Sequence, residues 1–183
     1  MCEELISIVF KLIIISSLLL LSLLSDLKTY KIKNSITFSF MLAGLAVNLA
    51  FEGYKGLVFS LQGILLPAVC LIILYAVRVV GAGDIKLLSA VGAVMGSGFA
   101  LYAAVYSFIC GGLIASCIIL LRNNWKERFS YLFAYIKSCF LSMELLQYSD
   151  FHDIKETGRF HFSVAVASGT VLAIIINGMG LTL

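Results

Sequence analysis

The chain has 183 residues, of which 61% are hydrophobic and only 13% are charged, and its mean hydropathy is +1.06. Soluble globular domains are about half apolar and about a quarter charged, so this composition excludes an ordinary soluble domain and indicates a membrane protein. The net charge is only +3, and we expect no nucleic-acid partner. No C-x-x-C pair occurs among the five cysteines, so we expect no zinc site, disulfide framework, metal or cofactor; the cysteines are Cys2, Cys70, Cys110, Cys117 and Cys139.

Six apolar segments are candidate membrane helices, and in chain order they cover residues 5–25, 35–51, 56–77, 85–97, 99–121 and 161–181. The first extends to Leu24 and ends in a charged loop, so we expect a retained helix rather than a cleaved signal. A spanning helix needs about 17–25 residues. The segment 85–97 is shorter, and its assignment needs a separate argument.

The distribution of Lys and Arg gives that argument, because these residues concentrate on the cytoplasmic side of membrane proteins. With the N-terminus outside, 11 of the 13 basic residues lie inside, and only Lys11 and Lys55 lie outside. Lys86 and Arg122 then share one side, so the chain between them crosses twice and turns near 96–99. We therefore predict an all-α, multi-pass protein of the cell membrane, a single domain of six transmembrane helices with both termini outside.

The segment 122–160 is the one long stretch predicted outside the bilayer. Its apolar residues recur at intervals of three, four and seven from Trp125 to Met143, which predicts an amphipathic helix. A helix lying on the membrane surface, with Lys126, Arg128 and Lys137 toward the headgroups, fits this pattern. A helix packed on the bundle fits it equally well.

Two aspartates are the candidate functional residues, because acids at membrane depth are rare and usually functional. Asp84 lies in "VVGAGDIKLL" (79–88) at the start of the fourth predicted helix, where its structural role would be an N-cap. Asp26 lies at the end of the first. Both fall at cytoplasmic helix ends and hence at one depth, so they would face each other if the two helices are neighbours.

Two carboxyl groups at close range share one proton, which yields a base to activate water and an acid to polarise a peptide carbonyl. We therefore predict Asp26 and Asp84 as catalytic residues of a peptide hydrolase. Gly81 and Gly83 would let the backbone bend and a peptide approach Asp84. Lys86 would tune the acids or extend to the membrane surface.

Three segments resemble the type IV prepilin peptidases, which are membrane aspartyl proteases. "GAGDIKLL" is similar to their G-x-G-D motif, "DLKTYKIKN" (26–34) to their first-aspartate loop, and "RFHFSVAVASGT" (159–170) to their last-helix segment. The resemblance implies removal of the short basic leader from prepilins and pilin-like proteins at the cytoplasmic face, with the lipid bilayer and these substrates as partners. Asp26 and Asp84 match the catalytic pair, and Asn34 matches the Asn of the family's Ile-Pro-Asn and would help to shape the site.

Departures from the family pattern bear on substrate preference. Lys33 and His161 stand where the family has prolines; His161 is either a third titrating group or a helix-end residue. Larger members add a cysteine-containing domain that methylates the new N-terminus. We expect here the peptidase-only form of tight-adherence pili, without methyltransferase activity. The acidic residues Asp150, Asp153 and Glu156 would attract a basic leader or form a solvated loop.

Three alternatives remain at this point. Presenilin-like or signal-peptide-peptidase-like proteases also use a G-x-G-D aspartate, but their Tyr-Asp and Pro-Ala-Leu motifs are missing from this sequence. A small transporter or channel would place its acids near the midplane, often on interrupted helices. A non-catalytic assembly subunit of a pilus or secretion machine is the third.

Overall fold

The computed structural model describes residues 2–29, 31–77, 80–121 and 162–178. They form five helical elements and, within those ranges, no strand, which confirms the all-α prediction. The elements are α1 (Cys2–Thr29), α2 (Asn34–Ala76), α3 (Ala82–Met95), α4 (Ser97–Leu121) and α5 (Phe162–Gly178). The predicted amphipathic segment 122–160 and His161 lie outside the described residues.

Element α2 is a helical hairpin rather than one continuous rod. At Gly53 the backbone leaves the helical region, with φ 62° and ψ −141°. On either side, Asn48 Nδ2 donates to Ser60 Oγ at 2.7 Å, so the arms 34–52 and 54–76 fold back on each other. Gly56 lies so close to the carbonyl of Asn48 that a side chain there would overlap with it. The predicted break between 35–51 and 56–77 therefore falls at Gly53.

Helix α3 lies at the centre of the packing. Every residue from Leu87 to Val94 is buried, as expected of a helix enclosed by protein on all sides. Both arms of α2 reach its backbone at glycines: Gly44 lies against Ala93, and Gly63 meets Gly92 backbone to backbone. Small residues at these crossings allow the close approach that is typical of membrane helices.

Buried polar side chains bind the end of α3 to the hairpin. Asn48 Nδ2 lies 3.0 Å from the carbonyl oxygen of Ala93, and the hydroxyl of Ser60 donates to the same oxygen at 2.8 Å. The last carbonyls of a helix have no partner within it, so these donors satisfy groups that would otherwise be buried unpaired.

The chain reverses between α3 and α4 at a single residue, Gly96, with φ 91°. Gly96 lies within the predicted turn region 96–99, and α3 begins at Ala82, three residues before the predicted start of 85–97. The first part of α4 packs on α5, where Gly169 lies against Ser107 and the rings of Phe108 and Phe162 are 5.7 Å apart.

The chain divides into two compact units, Met1–Gly111 with His161–Leu183, and Gly112–Phe160. In the second unit only residues 112–121, the end of α4, are described. Three of the described helices are long and apolar enough to cross a membrane, over Leu5–Thr29, Asn34–Ala76 and Ser97–Ile118, and Phe162–Ile176 is a shorter apolar helix. The chain is a membrane protein by these lengths and compositions.

Candidate active site

Asp26 lies in the last turn of α1 and is buried, with 8% of its surface exposed. The loop after it is bound back to the same helix end. The hydroxyls of Ser25 and Thr29 lie 3.1 Å and 3.0 Å from the carbonyl oxygen of Lys31. These contacts bind Lys31, two residues before the N-cap of α2, to the end of α1.

Asp84 lies in the first turn of α3, but it is not the N-cap that the sequence suggested. The N-cap is Gly81, and Asp84 occupies the third helical position. Its backbone N–H donates to the carbonyl oxygen of Gly81 at 3.1 Å, while its carboxylate accepts a hydrogen bond from the backbone N–H of Gly81. An acidic side chain that reaches back to the N-cap N–H forms one half of a capping box. The helix start therefore sets the direction of the carboxyl group.

The two aspartates are close enough to interact electrostatically. Burial, and to a lesser degree the negative charge of Asp26, raise the pKa of Asp84 to about 6, against the opposing effect of the Gly81 N–H. Asp84 precedes the predicted span 85–97 and lies outside the three helices that are long enough to cross a membrane. A carboxyl group whose pKa is raised by burial and by a second carboxyl group shows the electrostatic pattern expected of a shared-proton pair.

A third side chain joins the pair from α5. The hydroxyl of Ser163, which is fully buried, donates to Asp26 Oδ2 at 2.5 Å. Three separate segments, α1, α3 and α5, thus contribute Asp26, Asp84 and Ser163 to one place in the first unit.

The two glycines before Asp84 differ in what surrounds them. A Cβ at Gly81 would lie 3.1 Å from Asp84 Oδ2, whereas one at Gly83 would make ordinary contact, 3.5 Å, with the side chain of Ile32. Neither glycine has a positive φ. The backbone conformation at these two positions therefore does not itself require glycine, and the close steric contact is confined to Gly81.

Lys86 and Asn34, which the sequence suggested as residues near the site, bind each other. Lys86 Nζ donates to Asn34 Oδ1 at 2.9 Å and lies 5.8 Å from the centre of the Phe38 ring. The contact ties the first turn of α3 to the first turn of α2. The ammonium group is held by these partners, which favours a positioning role over tuning of the acids.

A cleft of about 430 Å³ opens beside the first turn of α3. It is lined by Tyr75, Ala76, Val80 and Gly81. The cleft therefore lies next to Gly81, the N-cap of α3.

Sequence reasoning missed Ser163 and the anchoring hydroxyls of Ser25 and Thr29. Serine and threonine are common in apolar helices, where most donate to their own helix, as Ser22 does to the carbonyl oxygen of Leu19. One signal was available, because Ser163 stands in the last-helix segment that resembles the prepilin peptidases.

The described residues thus form apolar helices that bring two interacting carboxyl groups, Asp26 and Asp84, close together. The sequence profile of the type IV leader peptidase family matches residues 13–116, more than half of the chain, and this range includes both Asp26 and Asp84. The chain belongs to the type IV leader peptidase family. No curated protein and no solved structure matches it.

Proposed function

We propose that this protein is an aspartic endopeptidase that removes the short basic leader from type IV prepilins or pilin-like proteins at the cytoplasmic face of the cell membrane. The observation that carries the proposal is the electrostatic pairing of Asp26 with Asp84 inside the range that matches the leader peptidase family. Family membership supports a peptidase, and the carboxyl pair supports the aspartic mechanism.

In the proposed reaction one carboxyl group of the pair is ionised and the other keeps the shared proton. The carboxylate takes a proton from water, whose oxygen bonds to the carbonyl carbon of the scissile peptide. The protonated carboxyl group donates a hydrogen bond to the carbonyl oxygen, and a proton passes to the nitrogen as the C–N bond breaks. A peptide would approach the pair through the cleft beside Gly81.

We further propose six membrane crossings with both termini outside. Counted separately, the arms 34–52 and 54–76 of α2 each have the length of a spanning helix. Helix α3 has 14 residues, or about 21 Å, and is short for a span, but it is buried by protein rather than exposed to lipid. Asp26 and Asp84 would then lie at the cytoplasmic boundary, where water for hydrolysis is available.

The test is co-expression with a tagged prepilin-like protein from the same genome, followed by sequencing of the new N-terminus of the substrate. Leader loss that requires both aspartates, with cleavage just before the hydrophobic segment, supports the proposal. Wild-type protein that leaves every tested prepilin uncut, yet supports pilus assembly or ion flux, would instead favour the assembly-subunit or transporter function.

A further inference from the structure

The bridging segment, residues 31–34, leads from α1 into α2 and touches the start of α3 at two points. At the first, the side chain of Ile32 lies against Gly83, where a Cβ would be 3.5 Å from the Cβ of Ile32. At the second, Asn34 Oδ1 accepts a hydrogen bond from Lys86 Nζ at 2.9 Å. The two residues of α3 that make these contacts stand on either side of its aspartate in the chain.

The other end of the bridging segment is bound to the helix that carries Asp26. The hydroxyls of Ser25 and Thr29 lie 3.1 Å and 3.0 Å from the carbonyl oxygen of Lys31. Ser25 directly precedes Asp26, and Lys31 directly precedes the residue that packs on α3. The bridging segment therefore contacts both of the helix ends that carry the carboxyl pair.

Contacts with the bridging segment matter most at the start of α3, because packing already holds the rest of that helix. Every residue from Leu87 to Val94 is buried, whereas residues 82–86 are exposed or partly buried. At the far end, the amide of Asn48 binds the carbonyl oxygen of Ala93 at 3.0 Å. A helix end with few buried contacts opens locally at a low cost in free energy. The first turn of α3 therefore depends on the contacts that the bridging segment supplies.

We propose that the bridging segment positions Asp84 against the end of α1. Ile32, Asn34 and Lys86 are then positioning residues, because they act through the first turn of α3 and not on the substrate. That turn sets the direction of the Asp84 carboxyl group, which accepts a hydrogen bond from the N-cap. The effect on catalysis rests on the proposed peptidase function, whereas the attachment of the segment to α3 does not.

The first measurement tests this attachment without substrate, on the full chain in lipid nanodiscs. Ile32→Cys places a thiol at the contact with α3. Its rate of alkylation, read by mass spectrometry, reports how often the segment leaves α3. Lys86→Met removes the hydrogen-bond donor and should raise this rate about fivefold, the change in population expected for the loss of one hydrogen bond. Asn34→Ala removes the acceptor but keeps the ammonium group, and it should give the same rise.

Lys11→Met is the matched control. Lys11 makes the same two kinds of contact as Lys86, because it donates to Glu52 at 3.1 Å and lies 5.6 Å from the centre of the Phe59 ring. Glu52 ends the first arm of α2, so this contact is distant from the bridging segment. The alkylation rate should stay at its value in Ile32→Cys alone. Equal rates in Lys11→Met and Lys86→Met would overturn the proposal.

The second measurement is the kinetics of leader cleavage. Lys86→Met and Asn34→Ala should each lower kcat about tenfold with little change in KM, because a small displacement of a catalytic group slows the reaction. The double variant should lose no more than either single variant, since both remove the same contact. Losses that multiply in the double variant, or a change confined to KM, would contradict a positioning role.

A disulfide between residues 32 and 83 should replace the lost contact. The Cβ atoms of Ile32→Cys and Gly83→Cys would lie 3.5 Å apart, within the range of disulfides. Oxidation of this pair in a Lys86→Met protein should restore most of the lost kcat, and reduction should remove the gain. A disulfide that does not form, or that forms without recovery of kcat, would overturn the proposal. A wild-type protein that cuts no prepilin would refute the proposed function, whereas the alkylation rates would still decide whether the bridging segment holds α3.

Discussion

Lys86 Nζ and Asn34 Oδ1 lie 2.9 Å apart, and this contact joins the helix that carries Asp84 to the helix that follows the Asp26 loop. Asn34 is the first residue of α2 and follows the N-cap, Lys33. The backbone at Lys33 therefore determines where Asn34 lies.

Lys33→Pro should fold and should be slightly more stable than the wild type. Lys33 has φ −67° and ψ 127°, the conformation that proline adopts. In the family pattern that this chain resembles, proline stands at this position. Fixing a compatible φ stabilises a protein by about 0.4–1 kcal/mol through the unfolded chain. Thermal unfolding in detergent measures this gain. Lys33→Ala removes the charge without fixing φ and should show no such gain in stability. A proline variant less stable than the alanine variant would show that the backbone conformation at Lys33 is not the one described.

Gly81→Ala and Gly83→Ala should have different effects on activity, although both glycines belong to the same motif. A methyl group at 81 would meet the carboxyl oxygen of Asp84 at 3.1 Å, whereas one at 83 would make ordinary contact with Ile32. Because displacement of a catalytic group by a fraction of an ångström lowers the rate, we expect Gly81→Ala to reduce kcat by about tenfold or more. Gly83→Ala should retain most of the wild-type rate. Initial rates of cleavage of a leader-containing peptide measure the two variants. Equal losses of rate at both positions would contradict the predicted difference between Gly81 and Gly83.

Asp84→Asn should stabilise the protein at neutral and alkaline pH. An unfolded aspartate has a pKa near 3.8, whereas the pKa of folded Asp84 is about 6. Between these values the folded protein binds more protons than the unfolded chain, so its stability falls as the pH rises through that range. Asparagine removes the buried charge and keeps an oxygen to accept from Gly81. The free energy of unfolding of the variant should exceed that of the wild type by about 1–3 kcal/mol at pH 8 and should equal it below about pH 4.

Unfolding temperatures of the two proteins at pH 4 and pH 8 give the result. Glu52→Gln serves as control, because Glu52 is paired with Lys11 at 3.1 Å and its neutralisation should bring no gain at either pH. An Asp84→Asn variant that is no more stable than the wild type at pH 8 would mean that burial does not penalise the ionised form of Asp84.

Gly96→Ala should be strongly destabilising, and Gly98→Ala should not. Gly96 has φ 91°, and a side chain there would overlap with the ring of Phe59. The strained backbone and the overpacking together cost about 2–4 kcal/mol. Gly98 has open space around it, so alanine there should be neutral or mildly stabilising. Urea or thermal unfolding of the two variants compares them directly; a well-folded Gly96→Ala protein would contradict the described turn.

Much of this fold is readable from the sequence, because apolar length and chain breaks determine helix bounds. Gly53 and Gly96 interrupt apolar runs, and both proved to be residues with positive φ. The start of α3 was misplaced because Asp84 was read as a cap, whereas Gly81 caps the helix without a side-chain hydrogen bond.

Contacts between segments that are distant in the sequence were harder to predict. The acid pair was inferred from equal membrane depth. Depth alone does not indicate which other helix packs beside the two aspartates. Ser163 and the Asn48–Ser60 contact depend on which face of each helix meets its neighbour. A uniformly apolar helix such as α4 has no polar face to indicate that orientation.

The most direct test of the carboxyl pair is cleavage of a leader-containing prepilin by purified protein in nanodiscs, comparing wild type, Asp26→Asn, Asp84→Asn and Glu52→Gln. The pair predicts that wild type and Glu52→Gln release the leader, and that each aspartate variant, although folded, loses at least a hundredfold in rate, the lower range for general acid–base catalysis. An Asp26→Asn or Asp84→Asn protein that cleaves at the wild-type rate would contradict the shared role of the two aspartates.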